Sequence, residues 1–464
     1  MWAPGISINI RVREKLKQHQ TKQFGHNNKF IQERNTVNRI SILIVMCLAI
    51  SLGVYADKTT DPLITTSVLD HGAKADGKTD CTESFQKALD FASKNGGGIV
   101  AVPSGQFYFS GNLVIPPGVT LRGVWESMHH ADIGRGSQLL VTTGKGDENG
   151  EPFIILNQSS CLKGLTIFYP EQDAASIQPY PWTIRGQGMF CSVIDVTLVN
   201  PYRGIDFGTN GNELHIVRNV FGCPLREGIY INRTTDIGRI EDVHFNPHSW
   251  ARADLPNRPR EGSEKWDKLL KYLNDNLVGF RIGKTDWEYM VNCFVIFPKI
   301  GFHFVHTEAG DPNVVLTQCG SDIGPVAVRV DASQYHSGLA FSNCQMMAGI
   351  EVSKTNKGPI KFSNCGFWGI PTTDYHALLD GSGTVIFTSC HFQRWAQKKH
   401  DSPAIISKGG ALIINGCEFI DNDKQHIQLD SGVRSAAIFG NHFSSGAKIT
   451  NNSKGKVEIG LNIE

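Results

Sequence analysis

The chain has 464 residues, of which 48 are glycine, 40% are hydrophobic and only 19% are charged, with a formal net charge of +1. A chain this long and apolar is neither disordered nor a disulfide-stapled miniprotein, and it can enclose one large core or two ordinary ones. Residues 1–39 hold eight Lys and Arg against Glu14 and Glu33, which leaves 37 basic and 42 acidic side chains beyond them, a balance without the electrostatic footprint of a nucleic-acid binder.

From Ile40 to Tyr55 the chain is uncharged and largely apolar, and Val54-Tyr55-Ala56 ends this run with the pattern a signal peptidase reads. The run is shorter than the roughly 20 residues of a spanning helix. Residues 1–56 therefore read as an N-terminal extension and signal peptide, cleaved after Ala56, and residues 57–464 as one secreted or periplasmic domain with no stable membrane span after cleavage. Ten of the 11 cysteines lie in that domain.

Residues 66–124 open it as a cap and first coil. Between Asp80 and Asn95, Phe85, Ala88, Leu89, Phe91 and Ala92 recur at helical spacing, with Thr82 as N-cap and Gly96-Gly97-Gly98 as the stop. An amphipathic helix here would cover the open end of whatever sheet follows. The whole stretch Val68–Val124, with GAKADGKTD, the helix, GGGIVAVPSGQF and VTLRG, resembles the N-terminal cap and first coil of the pectate-lyase-like β-helix superfamily, in the branch related to rhamnogalacturonases, polygalacturonases and family 28-type glycoside hydrolases. The resemblance implies a right-handed parallel β-helix and carbohydrate chemistry. It carries over no catalytic residue: the Asn-Thr-Asp, Asp-Asp and Gly-His-Gly phrases of polygalacturonases are missing, and FRIGK at 280–284 is only faintly similar to their Arg-Ile-Lys strand.

Beyond the cap the chain repeats itself. VNCFV, TQCGS, SNCQM, SNCGF, TSCHF and NGCEF place Cys293, Cys319, Cys344, Cys365, Cys390 and Cys417 at 21–27 residue intervals, and upstream the same slot holds Leu165, Val196, Val220 and Val243. Such a period signals a solenoid. A second phrase, a small residue followed by apolar-any-apolar, recurs once per repeat, as in GIDF, GIYI, GFRI, GFHF and AVRV. Short alternating segments between turns are strands, and three per repeat make one rung of a single-stranded, all-β, right-handed parallel helix. Asp195, Asn219, Asp242, Asn292, Asn343 and Asn364 precede the slot and suit the left-handed bend between strands. The cysteines then point inward as free thiols, because stacked neighbours stand about 4.8 Å apart, beyond the roughly 3.5–4.5 Å Cβ separation of a relaxed disulfide. No CxxC or HExxH spacing suggests a metal.

In the small-apolar-any-apolar strand the intervening residue faces out. That row reads Thr183, Asp206, Tyr230, Arg281, His303, Arg329 and Glu351, then Leu379 and Ile406. Polar residues on one sheet face form a saccharide groove or, in the plainer reading, a solvated surface. Beside the row, turns carry Asp236, Asp286 with Glu288, and Glu308. The insertion at 246–278 precedes Arg281, and Trp266, Leu269, Leu270 and Leu273 mark a helix in it. Trp368, Tyr375 and Trp395 sit on later loops, either as further subsites or as packing.

Glycoside hydrolysis requires two carboxyls, about 5 Å apart for retention or roughly 6.5–9.5 Å for inversion. Asp286 with Asp236 suits the first spacing; Asp206 with Asp286, or Asp236 with Glu308, suits the second. Arg281, Lys284, His303 and Arg329 favour an acidic sugar, and Tyr230 and Trp287 complete the binding set. The expectation is a glycoside hydrolase acting on an acidic polysaccharide, with no cofactor. Two alternatives stay open: a uronate lyase, with Arg281 or Arg329 neutralising the carboxylate, Tyr230, His303 or Lys284 as base and Ca2+ as an optional aid; or a non-catalytic carbohydrate-binding β-helix.

Overall fold

The computed structural model describes residues 63–126 and 134–464. The expected signal peptide lies outside the described residues. Among those described, no helix is long and apolar enough to cross a membrane.

Every pairing between the strands is parallel, and the chain winds as a right-handed β-solenoid of about 15 turns. A complete rung presents three strands to three faces. Sheet A holds segments such as Arg203–Phe207, Glu227–Ile231, Val278–Ile282, Ile300–Phe304 and Val326–Val330. Sheet B holds Thr285–Val291, Pro312–Thr317 and Leu339–Ser342, and sheet C holds Phe294–Ile296, Gly320–Asp322 and Gln345–Met346.

The corner between sheets B and C is a single left-handed residue. Asp195, Asn219, Asp242, Asn292, Asn343 and Asn364 all have φ of 53–57° there, and Gly164, Gly416 and Gly440 take the same position on other rungs. Asn and Asp tolerate this region because their short polar side chains bond locally. Here they bond between rungs: Asn219 Nδ2 donates to Asp195 Oδ1 and Asn292 Nδ2 to Asp242 Oδ1, each at 2.8 Å.

The next residue points inward. Cys293, Cys319, Cys344, Cys365, Cys390 and Cys417 are at most 1% exposed, and all ten described cysteines are free. Identical register also stacks rings inside the coil: Phe367, Phe392, Phe419 and Phe443 follow one another at 4.7, 4.7 and 4.9 Å between centroids.

Helix α1 (Thr82–Lys94) closes the start of the coil with Phe85, Ala88, Leu89 and Ala92 fully buried, Phe85 meeting Phe109 edge-on at 4.8 Å. Two expectations shift. Thr82 is the first helical residue rather than the cap, since Asp80 Oδ1 accepts from its N–H at 3.0 Å; Phe91 is exposed and lies against His71 instead of the core. The insertion folds as α2 (His248–Ala251) and α3 (Glu264–Asn276). Ser263 caps α3, Leu269 and Leu273 bury its inner face, and Trp250, which the periodicity did not single out, is fully buried.

Replacing Asn343 by Ala should destabilise the solenoid by about 1 kcal/mol, because a β-carbon without a bonding side chain is strained in the left-handed region. Asn343→Gly should recover most of the loss; thermal unfolding of both variants checks the ordering.

Candidate functional site

Strand register decides which residues share the outer face of sheet A. Arg185, Asp206, Tyr230, Arg281, His303, Arg329, Glu351 and Leu378 are partners on consecutive rungs. Thr183 and Leu379 are therefore displaced from the row. Thr183 is fully buried with Oγ1 donating to Arg203 O at 2.7 Å, and Leu379 belongs to the core; their places are taken by Arg185 and Leu378.

Charges in the row are neutralised by partners within it or beside it. Asp206 is fully buried: Oδ2 accepts from Arg185 Nε at 2.7 Å, and Oδ1 accepts from the backbone of Gly208 and Thr209. With both oxygens engaged and no exposure, it is a structural anchor rather than the catalytic carboxylate its position suggested. The Arg281 guanidinium lies 3.6 Å over the Tyr230 ring and donates through Nε to Glu227, and Tyr230 in turn stacks near Trp182. Burial pushes the Tyr230 phenol up, away from service as a base.

His303 Nε2 stands 2.7 Å from Asp331 Oδ2, and Arg329 reaches Asp331 Oδ1 at 3.1 Å and Glu351 Oε2 at 2.8 Å. Burial opposes ionisation of Asp331, but His303, Ser353 and Arg329 outweigh it and hold the carboxyl well below the usual range. Asp331 lines a pocket of about 320 Å³ with His306, Asp311, Ser333, Thr355 and Lys357. It had no place in the sequence reading. Its signal was present, since it stands two residues beyond Arg329 and so shares that residue's face.

The turn acids separate into three kinds. Asp286 is 42% exposed and is held at 2.5 Å by both Lys284 Nζ and Gln334 Nε2; partial burial raises its pKa, but these two donors lower it further. Glu308 pairs with Arg233 at 2.5 Å and Asp236 accepts from the Ile237 N–H at 2.7 Å, both in exposed positions. Glu288 turns inward and meets His215 at 2.9 Å, both side chains fully buried; desolvation opposes charge on His215, yet Glu288 raises its pKa. Between Asp286 and Glu288, Trp287 sits at φ 61° with its side chain largely exposed.

Of the later aromatics, Trp395 is core, with Nε1 donating to Gln425 O at 2.8 Å, whereas Trp368 is exposed and Tyr375 OH donates to Glu351 Oε1 at 3.0 Å. Among the described residues no three His, Cys, Asp or Glu side chains converge to hold a metal ion.

The fold is a right-handed parallel β-helix, and its cap and first coils carry a pectate-lyase-like domain. Residues 65–185 match the model of the family described as rhamnogalacturonase A/epimerase, pectate lyase-like. Over 45 residues the chain is 56% identical to Alginate lyase 7 of Azotobacter vinelandii, a match that covers 10% of this chain and 5% of that relative. Among solved structures, bacteriophage phi29 gene product 12 in its pre-mature form superposes with TM-score 0.56 at 14% identity over 86% of this chain and 55% of that one. The A-module of the A. vinelandii mannuronan C-5 epimerase AlgE4 aligns with TM-score 0.44 at 13% identity over 86% of this chain and 99% of the module. At such identities the structural likeness is one of fold.

Because Asp331 has a lowered pKa in the folded state, its contribution to stability is complete above its unfolded pKa of about 3.9 and is lost as pH falls towards the folded value. Asp331→Asn should therefore be less stable than wild type at neutral pH and lose less stability on acidification below about pH 4. Urea midpoints measured against pH check both statements.

Proposed function

We propose that this protein is a carbohydrate-active enzyme that abstracts a proton α to the carboxylate of a uronate in an acidic polysaccharide laid along sheet A. The observation that carries this reading is His303 held against Asp331 one rung from Arg281. With Nε2–H directed at Asp331, the neutral imidazole keeps its Nδ1 lone pair for a proton, the orientation role a carboxylate performs for a histidine base. Arg281 spends only Nε on Glu227. Its two terminal amino groups can pair with a substrate carboxylate and stabilise the charge that develops as the proton leaves. Arg329 already donates through Nε, Nη1 and Nη2, so it serves to position Asp331. Loss of the leaving group after proton abstraction gives an unsaturated end, and return of a proton from the opposite face gives the epimer. The family model and the A. vinelandii relative, named for a lyase, support this chemistry.

Hydrolysis by two carboxylates is the second reading, favoured by the exposure of Asp286 and by Asp236 on the preceding rung. It requires a protonated acid, and the lowered pKa values of Asp286, Asp331 and Glu308 suit them to a base or nucleophile rather than to that role. Export from the cytoplasm, directed by residues 40–56, belongs to the same proposal.

Incubation with alginate, polygalacturonate and related acidic polysaccharides should produce the ultraviolet absorbance of unsaturated uronates, or an epimerised polymer by NMR. His303→Ala should lower the rate by at least about 100-fold, the ordinary scale of general-base loss. New reducing ends without absorbance, abolished by Asp286→Asn and not by His303→Ala, would overturn elimination in favour of hydrolysis.

A further inference from the structure

The outer face of sheet C is chemically unlike that of sheet A. From Trp125 the rings Phe221, His244 and Phe294 follow on successive rungs, with centroids 5.9, 6.0 and 4.8 Å apart. The next partner in register is Gly320, so the series stops there, and the flank of Phe294 borders a pocket of about 340 Å³. Gly320 is its floor: a β-carbon there would come within 3.1 Å of Phe294 Cδ2. On the far side the Gln345 side chain lies over Gly366, where a β-carbon would meet its Oε1 at 2.3 Å, and so leans away from the opening.

The polar lining also points to a ligand. Gln318 and Asn292 border the pocket from the bend, and Gln345 and Asp322 border it from the sheet. Asp322 Oδ1 is buried and accepts no hydrogen bond from the protein. Burial pushes this carboxyl up, in contrast to the lowered acids beside sheet A. Neither Lys nor Arg lines the pocket.

We propose that this pocket is a second saccharide subsite, separate from sheet A, that takes one neutral pyranose residue of a glycan chain. A sugar ring offers an apolar C–H face to the Phe294 flank and hydroxyls at its rim to the amide of Gln318. A uronate is disfavoured because its charge would enter a site with a carboxylate and without a Lys or Arg partner. The glycan would thus be held on one face while an acidic segment is processed on another.

Calorimetric titration of the full chain with neutral hexasaccharides (cello-, manno-, xylo- and maltohexaose) and with oligogalacturonate tests this directly, and it needs no turnover. At least one neutral hexasaccharide should bind, and both Phe294→Ala and Gly320→Val should weaken it about tenfold, while turnover and oligouronate binding at sheet A stay as in wild type. Phe294 faces outward, so its variant decides the matter if Gly320→Val fails to fold. Absence of binding by every neutral hexasaccharide at concentrations on the order of 1 mM, binding unchanged by Phe294→Ala, or stronger binding of oligogalacturonate in this pocket would overturn the proposal. Loss of sheet A turnover alone would overturn the enzymatic reading and leave this one standing.

Discussion

Parallel strands remain in register from rung to rung only if each turn of chain bends at the same place, and the left-handed residue between sheets B and C enforces that. Asn, Asp or Gly occupies most of these corners, while Gln318 and Ser389 adopt the same conformation within the solenoid. Once neighbouring rungs share that corner, each residue lies above its equivalent at the strand spacing of about 4.8 Å. Like side chains must then stack on like. Inside, this produces the cysteine row and the phenylalanine files; the thiols also donate to carbonyls of the preceding rung, as Cys293 Sγ does to Ile240 O at 3.3 Å.

The same stacking has the opposite consequence outside. Like charges in one row would stand within a few ångströms of each other, so the charges on the outer face of sheet A are paired with acids in the row or beside it: Arg185 with Asp206, Arg281 with Glu227, Arg329 with Asp331 and Glu351. Its functional potential rests on valences these pairs leave open. Arg281 and His303 have them; Asp206 does not. Sheet C meets the requirement differently over the rungs of Phe221, His244, Phe294 and Gly320, with aromatic rings followed by a glycine.

The insertion shows how a loop is joined to this frame. α3 is capped by Ser263, buries Leu269 and Leu273, and is tied at its far end by Arg226 Nη1 donating to Asn276 O at 2.9 Å. Tyr230 and Arg281 occupy the rungs on either side of the excursion, so the longest departure from the repeat borders the centre of the row.

The sequence by itself determined the solenoid, the cap, the corners and the inward cysteines. Each of these repeats at fixed spacing or follows from local propensity, and a period of 21–27 residues with Asn or Asp before Cys leaves little freedom of interpretation. It also brought Asp206, Tyr230, Arg281, His303 and Arg329 onto one face, because alternation along a strand is local. What each of them does was decided by the tertiary structure. Whether an acid is buried like Asp206, turned inward like Glu288 or open like Asp286 depends on residues 21, 73 and 48 positions away, namely Arg185, His215 and Gln334. The two-residue displacement that put Arg185 rather than Thr183 in the row was equally invisible, since register is set by pairing between rungs and not by the order of residues within one.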